Sequence, residues 1–156
     1  MFFIIKKDFF FLKKKISKRY VNKLITYIGP CIEVVGYRQK KKGIKSFGDL
    51  CSDFGGNVKF ILGKLKRFKK NNVKNLKTNI SNIKARQSIY GNTNTVYKDP
   101  MNSLLFVLNK LQKEKIKHNK DFYVFTGSSV GVVPILGKGT YIGKIDKLGT
   151  VKTKIN

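Results

Sequence analysis

Asp49 and Asp53 stand four residues apart beside turn signals, and two carboxylates at that spacing could share a cation. Two acids near turns are thin evidence, so no metal site is expected. The other acids, among them Glu33 and Asp99, are isolated, and no pair has a spacing that argues for general acid–base work. His118 is the only histidine and sits in a polar, lysine-rich insert, which reads as solvent-facing. Cys31 and Cys51 show neither CxxC spacing nor a histidine nearby and read as buried free thiols. Ser128-Ser129 lacks a G-x-S-x-G context, and HExxH, GxGxxG and GxxxxGK[ST] are all missing. No catalytic residue and no cofactor is expected, and the chain reads as a non-enzyme.

The charge points elsewhere. Thirty-four basic residues face eight acidic ones, a net charge of +26 on 156 residues. A body so charged repels itself unless anions surround it. Lysines distributed along the whole chain favour a nucleic acid that touches several surfaces, bound with steep salt dependence. Only Arg19, Arg38, Arg67 and Arg86 are arginine, and Ala85 is the sole alanine. That bias matches A- and T-rich codons, as in organellar DNA. Lysine meets phosphate as a point charge without arginine's bidentate fork, which suits backbone contact better than base readout.

The elements that must position these charges are short. Residues 1–20 read as a basic, aromatic extension without a clean period, with no secretory leader and no apolar run of membrane-spanning length. Leu24–Ile28 and Cys31–Val35 read as strands closed by Gly29-Pro30 and Gly36. Phe47-Gly48-Asp49 signals a turn, with a strand over Leu50–Phe54. A strand is expected over Ile80–Ile89, placing Lys84 and Arg86 on one face. Leu104–Leu108 is a continuous apolar run fit for a central strand, followed by a helix-like stretch from Leu111 to Lys117. Phe122–Phe125 is a further strand, and the glycine-rich tail from Gly137 resists assignment. Short strands between turns predict a small antiparallel barrel.

Read in order, several of these segments resemble the large-subunit ribosomal protein fourteen family. Cys31-Ile32-Glu33-Val34-Val35-Gly36 looks like its "C-I-x-V-L-G" strand, and Ser46–Leu50 is similar to its "x-x-G-D-x" turn. Ile83-Lys84-Ala85-Arg86 resembles "V-V-R-T", and Val96–Asn102 leading into Leu105–Asn109 resembles "I-x-F-D-x-N" and "A-x-V-L-L-N". Gly127–Gly131 resembles "G-T-R-I-x-G", with Ser129 in place of the arginine, and Tyr141–Ile145 is similar to the tail before the family's end. The family's "D-N-S-G-A" is replaced by Tyr27-Ile28-Gly29-Pro30, and the stretch at 110–125 is longer than the family's loop.

The resemblance implies a mainly β protein, a small five-stranded antiparallel β-barrel with a short, partly helical C-terminal region; the barrel is placed over residues 21–136 and the C-terminal tail over 137–156, and the basic extension at 1–20 has no counterpart in the family. It implies a structural constituent of the large ribosomal subunit. Its partners would be large-subunit rRNA, neighbouring ribosomal proteins, small-subunit rRNA across an intersubunit bridge, and a ribosome-silencing factor. With the codon bias, it implies an organelle-encoded protein of the mitochondrial matrix, or alternatively of a plastid. The rRNA contacts expected are Arg38, Lys40, Lys41, Lys42 and Lys45 in one loop, Lys64, Lys66, Arg67, Lys69 and Lys70 in a basic run, and Lys84 and Arg86. Two alternatives remain. One is another small-barrel ribosomal protein. The other is a basic peripheral membrane protein anchored by Phe2, Phe3, Phe9, Phe10 and Phe11.

Overall fold

The structure is a computed structural model and describes residues 1–11, 15–38, 46–70 and 73–156. In chain order the elements are β1 (Phe2–Ile5), a 3-10 turn, α1 (Lys18–Leu24), β2 (Ile25–Gly29), β3 (Cys31–Val35), α2 (Phe47–Ser52), β4 (Asn57–Leu62) and β5 (Lys66–Arg67). They continue with β6 (Lys77–Asn82), β7 (Gln87–Asn92), α3 (Pro100–Lys113), β8 (Phe122–Phe125), β9 (Gly139–Ile145) and β10 (Gly149–Ile155). The protein is mainly β, with antiparallel pairing throughout the described strands. Those strands form three separate sheets, ordered β5-β2-β1-β8, β10-β9-β6-β7 and β3-β4, and no closed five-stranded barrel is formed.

The first sheet carries the hydrophobic core. Phe2, Phe3 and Ile5 of β1, set apart in sequence as part of an extension, are fully buried between β2 and β8. Phe9 is fully buried too, against Phe122, and Phe3 meets Phe68 edge-on. Against this sheet pack Val21 and Leu24 of α1 and Met101, Leu104 and Leu108 of α3. Asn109 ties α3 to the segment before α1: its Oδ1 accepts from Ile16 N at 2.9 Å and its Nδ2 donates to Ile16 O at 3.2 Å.

Two expected strands are helices, for local reasons. Pro100 opens α3, and the Asp99 side chain accepts from Met101 N at 2.9 Å, capping the first turn. The buried positions Met101, Leu104 and Leu108 follow helical spacing, while Phe106 within the apolar run is 59% exposed. At α2 the Ser46 hydroxyl accepts from Asp49 N and Asp49 Oδ2 accepts from Ser46 N, a reciprocal capping box over residues read as a turn. The expected single strand at 80–89 is a hairpin whose turn falls at residues 83–86. The unassigned tail pairs as β9 and β10, in register from Gly139↔Ile155 to Ile145↔Gly149.

Candidate functional site

Residues that face each other across a sheet share a face. Thr78, Ile80 and Asn82 of β6 pair with Ile145, Gly143 and Tyr141 of β9, which pair onward with Gly149, Val151 and Thr153 of β10. This face of the second sheet is the floor of a cavity of about 560 Å³. The β3–β4 ribbon forms one wall through Ile32, Glu33, Val34 and Phe60, and the segment 127–135 forms the roof. The ribbon comes so close that a Cβ at Gly143 would lie 3.1 Å from Ile32 Cγ1, so the absent side chain is what lets the wall stand against the floor.

The roof is pinned by backbone. Ser129 O accepts from Asn92 N at 3.2 Å, and a Cβ on Gly91 would fall 2.0 Å from that same oxygen. Gly127 and Gly131 bracket the crossing with φ of +99° and +74°, and Ser128 Oγ donates to Gly131 O at 2.7 Å to close the turn between them. Phe60 and Phe125 stack at 3.6 Å with rings nearly parallel, joining wall and first sheet.

The cavity is mostly apolar, with few polar groups. Glu33 lines it, and its Oε1 accepts from Asn57 Nδ2 at 2.9 Å. Burial pushes the Cys31 thiol up from its ordinary value, which keeps it neutral and poorly nucleophilic. The Tyr141 hydroxyl donates to Gly137 O at 3.2 Å. Thr78 is 4% exposed, and its hydroxyl has no hydrogen-bond partner. A buried hydroxyl left unsatisfied costs about 1–3 kcal/mol. Nothing in the sequence pattern separates Thr78 from its neighbours; only the register and the roof reveal it.

The expected contact residues do not gather at this cavity. Lys40, Lys41, Lys42 and Lys45 lie outside the described residues. Arg38 is taken up internally: its Nη1 meets Asp53 Oδ1 at 2.6 Å, its backbone N–H donates to Asp53 Oδ2, and its Nη2 donates to Asn57 O. Lys64, Lys66, Arg67, Lys69 and Lys70 are exposed along and beyond edge strand β5, where Lys66 Nζ donates to Lys147 O at 2.7 Å. Lys84 and Arg86 lie in the β6–β7 turn instead of on a strand face, Arg86 with φ of +48°.

Hydrogen bonds from the Arg38 side chain and backbone hold the Asp53 carboxyl below its ordinary value. The ionised form is therefore the one that favours the fold. Its contribution is complete above the usual carboxylate range and fades as pH falls through the lowered folded value. Thermal melts taken from neutrality into acid are expected to show a loss of stability that Asp53→Asn reduces. An unchanged acid slope in that variant would remove the ion pair from the cause.

No family model matches the chain, and no curated protein matches it. The fold, however, has counterparts among solved structures. Two solved structures share it, both of 4-oxalocrotonate decarboxylase from Pseudomonas putida G7. The one complexed with calcium and acetate superposes with a TM-score of 0.75 at 18% identity, covering 97% of this chain and 56% of that one. The one complexed with magnesium and adipate gives 0.74 at 19% identity, covering 87% and 51%. The chain thus spans about half the length of the decarboxylase chains it matches.

This likeness overturns the ribosomal assignment, and with it the rRNA-binding structural role, the intersubunit bridge, the ribosomal and silencing-factor partners, and the non-enzymatic class. The physical reason is visible in the elements. Of the segments that resembled the ribosomal family, Leu105–Asn109 lies in α3, Ser46–Leu50 starts α2, and Ile83–Arg86 is a turn. Their order was shared, but their conformations are not those of barrel strands. The membrane alternative loses three of its five anchoring side chains, since Phe2, Phe3 and Phe9 are buried in the core; the side chains of Phe10 and Phe11 lie outside what the structure describes. Among the described residues no helix is long and apolar enough to cross a membrane.

The decarboxylase structures carry divalent cations, and the donor set here does not fit one. All eight acidic residues are described, and among the described residues no three of His, Cys, Asp and Glu cluster. Asp53, Asp99, Glu114 and Asp146 have cationic partners in Arg38, Lys18, Lys110 and Lys144. Asp49 is held in its capping box, and Asp121 Oδ1 accepts from Lys7 N. Of the eight, only Glu33 lines the cavity.

Proposed function

We propose that the chain is the organic-acid-binding domain of an enzyme that acts on a small carboxylic acid in the manner of a decarboxylase. The observation that carries this reading is the 560 Å³ cavity over the second sheet of a decarboxylase-like fold, lined mostly by apolar residues with a few polar ones. The charge surplus supports it. A net charge of +26 raises the local concentration of any small anion, and the exposed Lys64, Lys66, Arg67, Lys69 and Lys70 contribute to that field without touching the ligand. Acetate and adipate, the ligands of the two solved decarboxylase complexes, fit the same chemistry.

Glu33 takes the proton-transfer role. It is the one carboxylate at the cavity, and the Asn57 amide fixes its orientation. After a carboxyl group leaves as carbon dioxide, its bonding pair stays on the carbon skeleton, and Glu33 would relay a proton from water to quench it, the hydroxide left behind taking up a proton from bulk solvent. Carbon dioxide release from 4-oxalocrotonate is the assay. Glu33→Gln is expected to lower turnover about 100-fold while leaving adipate affinity within about threefold of wild type. Equal turnover in the variant would take Glu33 out of the chemistry. A wild-type chain that neither binds adipate nor releases carbon dioxide would end the reading altogether.

A further inference from the structure

We infer that Arg38 is a positioning residue for the cavity: braced on the buried Asp53, it holds Asn57 where the Asn57 amide orients the Glu33 carboxylate. This inference rests on the proton-transfer role given to Glu33.

The turn between α2 and β4 needs holding. Phe54, Gly55 and Gly56 follow one another with φ of +50°, +69° and +73°. A bulky aromatic residue in the left-handed region is strained, and such backbone persists only where its surroundings fix it. Arg38 grips both ends of this turn. Before it, Arg38 Nη1 donates to Asp53 O at 3.0 Å and meets Asp53 Oδ1 at 2.6 Å, while the Arg38 backbone N–H donates to Asp53 Oδ2 at 3.1 Å. Beyond it, Arg38 Nη2 donates to Asn57 O. Asp53 is 3% exposed, so little water competes for its carboxylate. Gly36 N donates to Gly56 O at 2.8 Å and closes the same turn against the end of β3.

The held turn decides where Asn57 points. The β3–β4 register runs Glu33↔Phe60 and Val34↔Lys59, then steps to Val35↔Asn57 and leaves Val58 as the extra residue. A bulge of this kind re-aims a side chain. Asn57 stands opposite Val35 and therefore on the face of Glu33, and its Nδ2 donates to Glu33 Oε1 at 2.9 Å. Gly36, Gly55 and Gly56 line the cavity beside Glu33, so the clamp and the carboxylate share one wall. Arginine suits this task because its rigid planar fork satisfies two separate acceptors at once. A lysine ammonium would keep the charge opposite Asp53 without that fork.

The test is a double-mutant cycle read by carbon dioxide release from 4-oxalocrotonate, with adipate titration and thermal melts of every variant beside it. Arg38→Lys is expected to lower turnover about tenfold while adipate affinity stays within about threefold of wild type. In the Glu33→Gln background the same substitution should change turnover by less than about twofold, because residues that act as one unit are not additive. Asp53→Asn leaves Arg38 in place without its brace and should reproduce both results. A role confined to the fold would instead lower turnover by the same factor in both backgrounds, and that result would overturn the inference. The side-chain amide resonances of Asn57 give a readout free of activity, and they should shift in Arg38→Lys and in Glu33→Gln. Wild-type amide resonances in Arg38→Lys would break the link from Arg38 to Asn57 and overturn the inference while leaving the organic-acid reading intact. A wild-type chain that neither releases carbon dioxide nor binds adipate would overturn the organic-acid reading, and the positioning role with it.

Discussion

Phe3→Ala is expected to destabilise the protein by about 3–5 kcal/mol, the cost of deleting a fully buried aromatic side chain from a core that cannot collapse around the void. Phe3 is 0% exposed, lies in register with Ile28 on one side and Val124 on the other, and meets the Phe68 ring at 6.4 Å. No solvent reaches the site to offset the loss. Denaturant titration measures the effect directly, and a calorimetric scan should show the melting temperature falling by about 8–15 °C. A cost below about 1 kcal/mol would mean that β1 is peripheral, contrary to its place in the middle of the first sheet.

Gly91→Ala has the second largest expected effect, and it acts on cavity and fold together. The new methyl carbon would occupy space 2.0 Å from Ser129 O and 2.9 Å from Ser129 C, both backbone atoms that no rotamer change can move. Either β7 shifts or the roof lifts, and the bond from Asn92 N to Ser129 O is strained in both cases. Overpacking of this kind costs about 1–3 kcal/mol. Because the displaced segment lines the cavity, adipate affinity should drop at least about tenfold in the same variant. Wild-type affinity at reduced stability would show that the roof does not shape the site.

The parts of the fold legible in the sequence were those whose cause is local and periodic. Cys31–Val35 and Phe122–Phe125, β-rich and bounded by turn residues, are strands, and Ile25–Gly29 lies within one residue of its expectation. Leu104–Leu108 misled because an uninterrupted apolar run fits both a central strand and a helix flank. The decisive signal was Asp99-Pro100 upstream, a cap and first-turn proline, which outweighed the run itself. Ser46 and Asp49 carried a capping box in plain view, but their glycine neighbour made them look like a turn. The first residues lacked a readable period because β1 is buried on both faces, so polar alternation was never required of it.

The site was less legible still. Glu33 was noticed as an isolated acid, and its isolation is what the structure preserves. Thr78 had no signal of its own, since an unpartnered hydroxyl is a property of what surrounds it. The lysine surplus dominated the sequence and drew attention to phosphate, yet charge at that level reports attraction to anions in general and not their size. Arg38 illustrates the difference: a residue counted among surface cations is spent on the buried Asp53.

The position of β1 has a kinetic consequence. Its two neighbours in the sheet come from opposite ends of the chain's span, with Phe2 paired to Gly29 and to Phe125. On a ribosome elongating at its usual pace, an aromatic strand would wait on the order of ten seconds for its second neighbour to emerge. Until then one edge of Phe2–Ile5 stays open to any other extended segment, including the same stretch of a second molecule. High contact order of this sort slows folding and makes yield fall as concentration rises.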